Sequence, residues 1–333
     1  MAGFVNMAKN VLVCGAGSIG KRHIANLLQL GANVSVWRSQ THLLKFIRDE
    51  FDVEIQENID EAINRVDAVV IATATDAHIP IAIKVLEAGK AMFIEKPISH
   101  SWEGIENLLR LALGKVVEVG CQFRAHQNLF ALSKYLQQTG NDKILTYRFA
   151  MGHRLDVWRK GKDYREVYSS DAKRGGGALF DLIHQIDLAI WFFGPVTEVN
   201  AVLSKRSRLD ISGDDISNLL LTHSSGLTGH VQLDMASPVY RCEAEIMTSD
   251  SILNWSYSKG ILQNHFPDES IIIDQVPDNF ERNDLFMTHM AYFLKRLSDN
   301  SLPPLCSIND GIAALRTAIC LREASTYGKK VIL

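Results

Sequence analysis

The sequence predicts an α/β protein of two domains, a parallel-sheet domain followed by one built on an open, largely antiparallel sheet. Three observations carry that prediction. Short apolar strands alternate with helix-like segments up to Gly120, strand-like runs then follow one another with few helices between them, and the 333 residues amount to about two domains.

Residues 10–14 (NVLVC) form a compact apolar run ending at a glycine, and residues 19–30 carry Ile24, Leu27 and Leu28 at helical spacing. Strand 33–37, helices 41–50 and 59–64, strand 68–72, helix 79–88 and strand 91–94 follow. Repetition of strand, helix, strand implies a parallel sheet with right-handed crossovers. Beyond Gly120, residues 145–151, 196–204, 218–222, 227–235, 242–248 and 251–256 read as strands, several alternating apolar with polar residues, as in an antiparallel sheet with one covered face. Helices are predicted at 128–138, 177–193, 284–298 and 308–327. The domains are placed at 1–124 and 125–333, the second for substrate binding and oligomerisation, with the closing helix packed back on the first.

Composition excludes several classes of function. The chain is 47% hydrophobic and 22% charged, and 35 basic against 38 acidic side chains give a net charge of −3, so no basic field exists to hold nucleic acid. Five scattered cysteines (Cys14, Cys121, Cys242, Cys306, Cys320) form no CxxC pair, which argues against a disulfide framework or a metal cluster and for a reducing cytoplasm. The most apolar stretch, 179–193, is interrupted by Asp181, His184, Gln185 and Asp187, so no membrane span is expected. The N-terminus, MAGFVNMAKN, reads as a short untargeted lead-in.

Gly15-Ala16-Gly17-Ser18-Ile19-Gly20 is a GxGxxG between a strand and a helix. There, glycines permit a tight turn and close approach of a pyrophosphate, and the free amides of the helix N-terminus face it. In an alternating region this context favours a dinucleotide site over a ligand-free glycine turn. Sites for NAD place an acid about 20 residues further on. This chain has Val36-Trp37-Arg38-Ser39-Gln40, whose Arg38 can fork onto a phosphate and whose Ser39 can donate to it, so NADP is favoured over NAD.

Glu95-Lys96-Pro97 follows a strand, which places Lys96 at the carboxyl edge of a parallel sheet, where ligands bind. A lysine there can hold a substrate hydroxyl and stabilise the alkoxide; alone, it reads more readily as an exposed surface lysine. Gly175-Gly176-Gly177 then leads into a helix carrying Asp181, His184 and Asp187 at three-residue intervals, hence along one face. A general base with an orienting carboxylate fits that pattern. Between them, Trp158, Tyr164 and Tyr168 can stack on a sugar or base, and Lys162 and Arg165 can hold phosphate or carboxylate. Arg124 is a further substrate-contact candidate.

Together GAGSIG, AVVIATATDAH, AGKAMFIEKP and GGGALFDLIHQID resemble the Gfo/Idh/MocA oxidoreductases, mostly sugar and polyol dehydrogenases, and the closing stretch 310–333 is similar to that family's last helix. The resemblance implies an N-terminal Rossmann domain and a C-terminal α/β domain whose open sheet makes a homodimer or homotetramer. It implies cofactor contacts at Thr73, Thr75, His78, Glu95 and Lys96, and catalytic roles for Lys96 and His184. The step from Asp181 to His184 is one residue shorter than in the family's common pattern, which leaves the role of Asp181 open, and Asp187 is expected in a salt bridge. The segment from Trp158 is similar to a branch associated with nucleotide-sugar and surface-polysaccharide pathways. The expected activity is hydride transfer at a secondary hydroxyl of a sugar, one linked to a nucleotide. The alternatives are a redox-neutral epimerase or lyase with recycled NAD, and a non-catalytic dinucleotide sensor.

Overall fold

The computed structural model describes residues 8–40, 44–140, 143–158 and 163–333. The chain folds as two compact units. One comprises the chain up to Ile98 with Glu103–Gln122 and Arg282–Ile308; the other comprises Ser99–Trp102, Phe123–Glu281 and Asn309–Leu333.

In the first unit the order is β1 (Asn10–Cys14), α1 (Ser18–Gln29), β2 (Asn33–Trp37), α2 (Leu44–Glu50), β3 (Glu54–Gln56), α3 (Ile59–Asn64), β4 (Ala68–Ile71), α4 (His78–Glu87), β5 (Ala91–Ile94), α5 (Ile105–Ala112) and β6 (Val117–Val119). All six strands are parallel, in the order β3-β2-β1-β4-β5-β6. The central strands are apolar throughout because helices cover both faces of such a sheet: Ala68–Ile71 is buried at every position. Backbone bonds continue past the strand ends, from Gly15 N to Trp37 O (2.8 Å), Ala72 N to Cys14 O (2.8 Å), Glu95 N to Ile71 O (2.9 Å) and Gly120 N to Ile94 O (2.8 Å). Those bonds fix the loops at the carboxyl edge, where Gly15, Thr73 and Lys96 lie.

Three elements of this unit were not anticipated. α5 carries Ile105, Leu108 and Ala112 on its buried side, a spacing that the sequence does show. β3 is only three residues long, and β6 reads Val-Glu-Val with its glutamate fully buried, which defeats an alternation test. The predicted helix 41–50 begins, within the described residues, at Leu44.

In the second unit lie α6 (Gln127–Thr139), β7 (Ile144–Gly152), α7 (Ala178–Asp181), α8 (His184–Phe193), β8 (Val196–Ser204), β9 (Ile216–His223), β10 (Thr228–Asp234), β11 (Arg241–Thr248), β12 (Ile252–Ser256), β13 (Ile261–His265) and β14 (Ser270–Gln275). α9 (Arg282–Ser298) belongs to the first unit; α10 (Ile308–Tyr327) and β15 (Val331–Ile332) complete the chain. The sheet runs β14-β13-β12-β11-β7-β10-β9-β8-β15 and is antiparallel except where β10 pairs with β7. One face buries Tyr147, Phe149, Leu219, Val231, Ile246, Leu253 and Trp255, with Phe193 of α8 stacked on Tyr147 at 4.5 Å. β9 and β11 alternate buried with more exposed residues, as expected for a sheet covered on one side.

The second domain is therefore not the continuous span 125–333. The helix that joins the Rossmann unit is α9, whose Met290 and Phe293 enter the core of Val11, Val13, Ile24, Leu27 and Phe93, whereas α10 from Asn309 onward belongs to the second unit. Burial of those two side chains, worth roughly 1.5–3 kcal/mol each, gives the physical reason. Glu118 reinforces it: fully buried on β6, it accepts from His289 Nε2 (3.0 Å), Arg296 Nη1 (2.8 Å) and the Cys306 amide (2.9 Å). Among the described residues no helix is long and apolar enough to cross a membrane.

Candidate active site

At the carboxyl edge of the first unit the GxGxxG turn behaves as its spacing predicts. Gly15 has φ +100°, and a Cβ on Gly20 would collide with the Gly15 carbonyl, so the helix can close on the turn only with glycine there. A Cβ on Gly17 would meet nothing within 4 Å, and Ser18 and Ile19 open α1 without a side-chain cap or an acid in the first turn. A helix of 12 residues thus presents its first amides and positive dipole end to a glycine cradle, which fits a dinucleotide pyrophosphate. At the end of β2, Arg38 is half-buried and donates through Nη2 to Gln40 Oε1 (2.7 Å), while Ser39 is exposed. Burial draws the Arg38 pKa below its ordinary value.

Lys96 stands on the loop after β5, joined to Pro97 by a cis peptide bond. Its neighbour Glu95 is 5% exposed; Oε1 accepts from His23 Nε2 (2.8 Å) and Oε2 from the Lys96 amide (3.3 Å). Burial pushes the Glu95 carboxyl up, but the His23 hydrogen bond and the charges of His23, Lys96 and His78 outweigh it and hold the group below the usual carboxylate range. His78 is buried, with Nδ1 2.9 Å from Pro97 O and Nε2 3.2 Å from Thr73 O, so its ring lies between the Thr73 loop and the lysine loop; burial lowers its pKa. Thr75 is buried too, and Thr73 half-buried. Of the expected cofactor contacts, Glu95 and His78 thus act as struts beneath the loops. The sequence reading passed over His23, whose partner lies 72 residues away.

In the second unit the glycine run precedes His184 as predicted, but the helix does not continue. α7 ends at Asp181, and α8 begins at His184, so Asp181, His184 and Asp187 do not share one helical face. Gly177, at φ +114°, brings the chain against Asp214: a Cβ there would stand 2.6 Å from its Oδ1. Asp214 holds the start of α7, accepting the Ala178 amide on its carbonyl (2.9 Å) and the Leu179 amide on Oδ2 (3.0 Å), and burial pushes its carboxyl up. Asp181, 4% exposed, accepts from Tyr168 OH at 2.7 Å. His184, 3% exposed, meets Phe123 edge-on at 5.0 Å, and Phe123 in turn meets Trp255 and Tyr257.

Asp187 is salt-bridged as expected, and its partner corrects another expectation. Arg124 is 4% exposed, donates through Nε and Nη2 to Asp187 (3.1 and 2.8 Å), and lies 3.2 Å from Asp310, so its guanidinium is engaged inside the unit instead of standing open to substrate. In the loop before the glycines, Trp158 donates to His153 O (2.9 Å) and Tyr164 OH accepts from the Asp210 amide (3.0 Å), both half-buried. Exposed Arg165 forks onto Asp163, which holds that carboxyl near 2. Lys162 lies outside the described residues.

Comparison with known proteins gives the family. Residues 9–123 match the Gfo/Idh/MocA profile described as an oxidoreductase family with an NAD-binding Rossmann fold, and residues 143–253 match a C-terminal domain of the same family. The chain is 25% identical over 341 residues to inositol 2-dehydrogenase/D-chiro-inositol 3-dehydrogenase of Halalkalibacterium halodurans, covering 96% of this chain and 91% of that one. It is similar in fold to levoglucosan dehydrogenase in complex with NADH and L-sorbose (TM-score 0.84, 20% identity, 98% of each chain). UDP-N-acetylglucosamine 3-dehydrogenase from Acidithiobacillus ferrooxidans is similar as well (TM-score 0.79, 19% identity, 96% of this chain and 99% of that one). With both domains matched by models of one family, the chain belongs to the Gfo/Idh/MocA family of oxidoreductases.

Proposed function

We propose that the protein is an NAD(P)-dependent dehydrogenase acting on a secondary hydroxyl of a sugar or cyclic polyol. The position of Lys96 carries this reading: it stands on the loop after β5, at the same sheet edge as the Gly15–Gly20 turn, with the ionised Glu95 carboxylate beneath it. Lys96 holds the substrate oxygen and stabilises its developing negative charge, and His184 takes the hydroxyl proton in the oxidative direction. The nicotinamide, when bound, supplies the hydride acceptor or donor. Tyr168 donates to Asp181, and in this reading the pair lies beside the substrate, a use for Asp181 despite the shortened spacing.

The names of the relatives, dehydrogenases of inositol, levoglucosan and UDP-N-acetylglucosamine, support a polyhydroxylated ring as the substrate. A nucleotide-linked sugar is supported by half-buried Trp158, Tyr164 and Tyr168, which offer ring faces. Arg165 supports it less, since Asp163 already neutralises it.

NADP is favoured by Arg38 and Ser39 at the end of β2, where residues 36–40 contain no acid. If Arg38 binds the 2′-phosphate, Arg38→Ala weakens NADP by about 1.5–3 kcal/mol and leaves NAD nearly unchanged. Calorimetric titration of both cofactors into parent and variant tests this. Equal losses would mean that Arg38 stacks on adenine, and tighter NAD binding in the parent would overturn the NADP assignment.

A further inference from the structure

We infer that His23 is a positioning residue for Lys96, acting through Glu95, so that the helix facing the pyrophosphate and the lysine loop move as one piece. The inference rests on the catalytic reading of Lys96. His23 lies in the second turn of α1 and is 1% exposed, in edge contact with Phe93 (5.3 Å) and Phe286 (6.3 Å), so its ring has a single orientation. From there Nε2 donates to Glu95 Oε1 at 2.8 Å, while the other carboxylate oxygen accepts the Lys96 amide. The carboxylate occupies the space that a Cβ on Gly120 would need, 2.9 Å from Oε1, so only glycine fits there.

Three groups face Glu95: His23 from α1, Lys96 from its own loop and His78 from α4. Burial alone favours the neutral acid, and His23 is the largest of the influences that oppose it. Loss of that donor moves the balance toward the protonated acid. In that form the negative charge beside Lys96 is lost, and the carboxyl is free to turn away from the Lys96 amide. A structural histidine would contribute to stability only; the Glu95 link makes its removal a change of charge next to the reacting group.

Infrared spectroscopy of the full-length protein at neutral pH reads this directly and needs no substrate. His23→Leu should show a carboxylic-acid C=O band that disappears in the double variant with Glu95→Gln, and His23→Gln, which keeps a donor near the Nε2 position, should show none. On whichever polyol the parent oxidises, His23→Leu should lower kcat on the order of 10²-fold, as a misplacement of about 1 Å does, and His23→Gln should recover most of it, with KM for the cofactor within a few-fold throughout. Should His23→Leu fail to fold, His23→Asn, whose amide is too short to reach Glu95, replaces it. Absence of the acid band in these variants, or equal kcat loss in His23→Gln and His23→Leu, overturns the proposal. A protein inactive on every polyol would refute the dehydrogenase reading and leave the infrared result standing.

Discussion

The places of Lys96 after a strand and of His184 after the glycine run were legible in the sequence because short motifs surround them, while the long-range pairs that brace the first unit were not. Glu95 and His23 are 72 residues apart, Glu118 and His289 are 171 apart, and no local spacing links such pairs. Arg124 shows the converse: a cation near the expected site invites a substrate role, and only the fold reveals that Asp187 and Asp310 engage it. Asp187→Ala removes the bidentate partner of buried Arg124 and leaves it Asp310 at 3.2 Å, so the cost in denaturant unfolding should fall at the low end of the range of about 3–5 kcal/mol for breaking a buried pair. An unchanged midpoint, with weaker substrate binding, would return Arg124 to the substrate. His184→Ala should lose turnover that is partly restored at high pH, where hydroxide can accept the proton; pH profiles of one shape in both proteins would make His184 a packed core ring.

Among the elements, several strands were read with their bounds intact, as at Asn10–Cys14, Asn33–Trp37, Ala91–Ile94 and Val196–Ser204. The break between α7 and α8 was not, because Leu182 and Ile183 are apolar and helix-compatible; what ends α7 is tertiary, with Asp214 holding its first turn and Tyr168 binding its last residue. A similar tertiary effect governs His126, the cap of α6. It is fully buried among Trp255, Tyr257 and Phe280, its Nδ1 accepts the Asn128 amide (3.2 Å), and burial lowers its pKa to about 4. The unfolded chain takes a proton on this ring near its ordinary pKa while the folded one does not, so the stabilisation present above that value is lost as pH falls toward about 4. The unfolding free energy should drop by about 3 kcal/mol across that window through this ring. Comparing parent with His126→Phe by denaturant titration at several pH values isolates it: equal slopes in both proteins would remove His126 as the cause.

For the whole molecule, the two-domain α/β plan followed from the change of pattern at Gly120, but the return of α9 to the Rossmann unit did not. That helix is identified by what it packs against, Phe93 and the buried Glu118, and neither choice of partner is written in its own periodicity. The central claim is that this fold transfers hydride at a hydroxyl held by Lys96. Its most direct test follows reduced nicotinamide to completion with NAD and NADP against myo-inositol, levoglucosan and UDP-N-acetylglucosamine, in the parent and in Lys96→Ala. The account predicts that at least one such substrate yields one reduced cofactor per molecule consumed, and that Lys96→Ala binds the cofactor as the parent does while turning over about 10²–10³-fold more slowly. Product formed without net cofactor reduction, or equal rates in parent and Lys96→Ala, would contradict it.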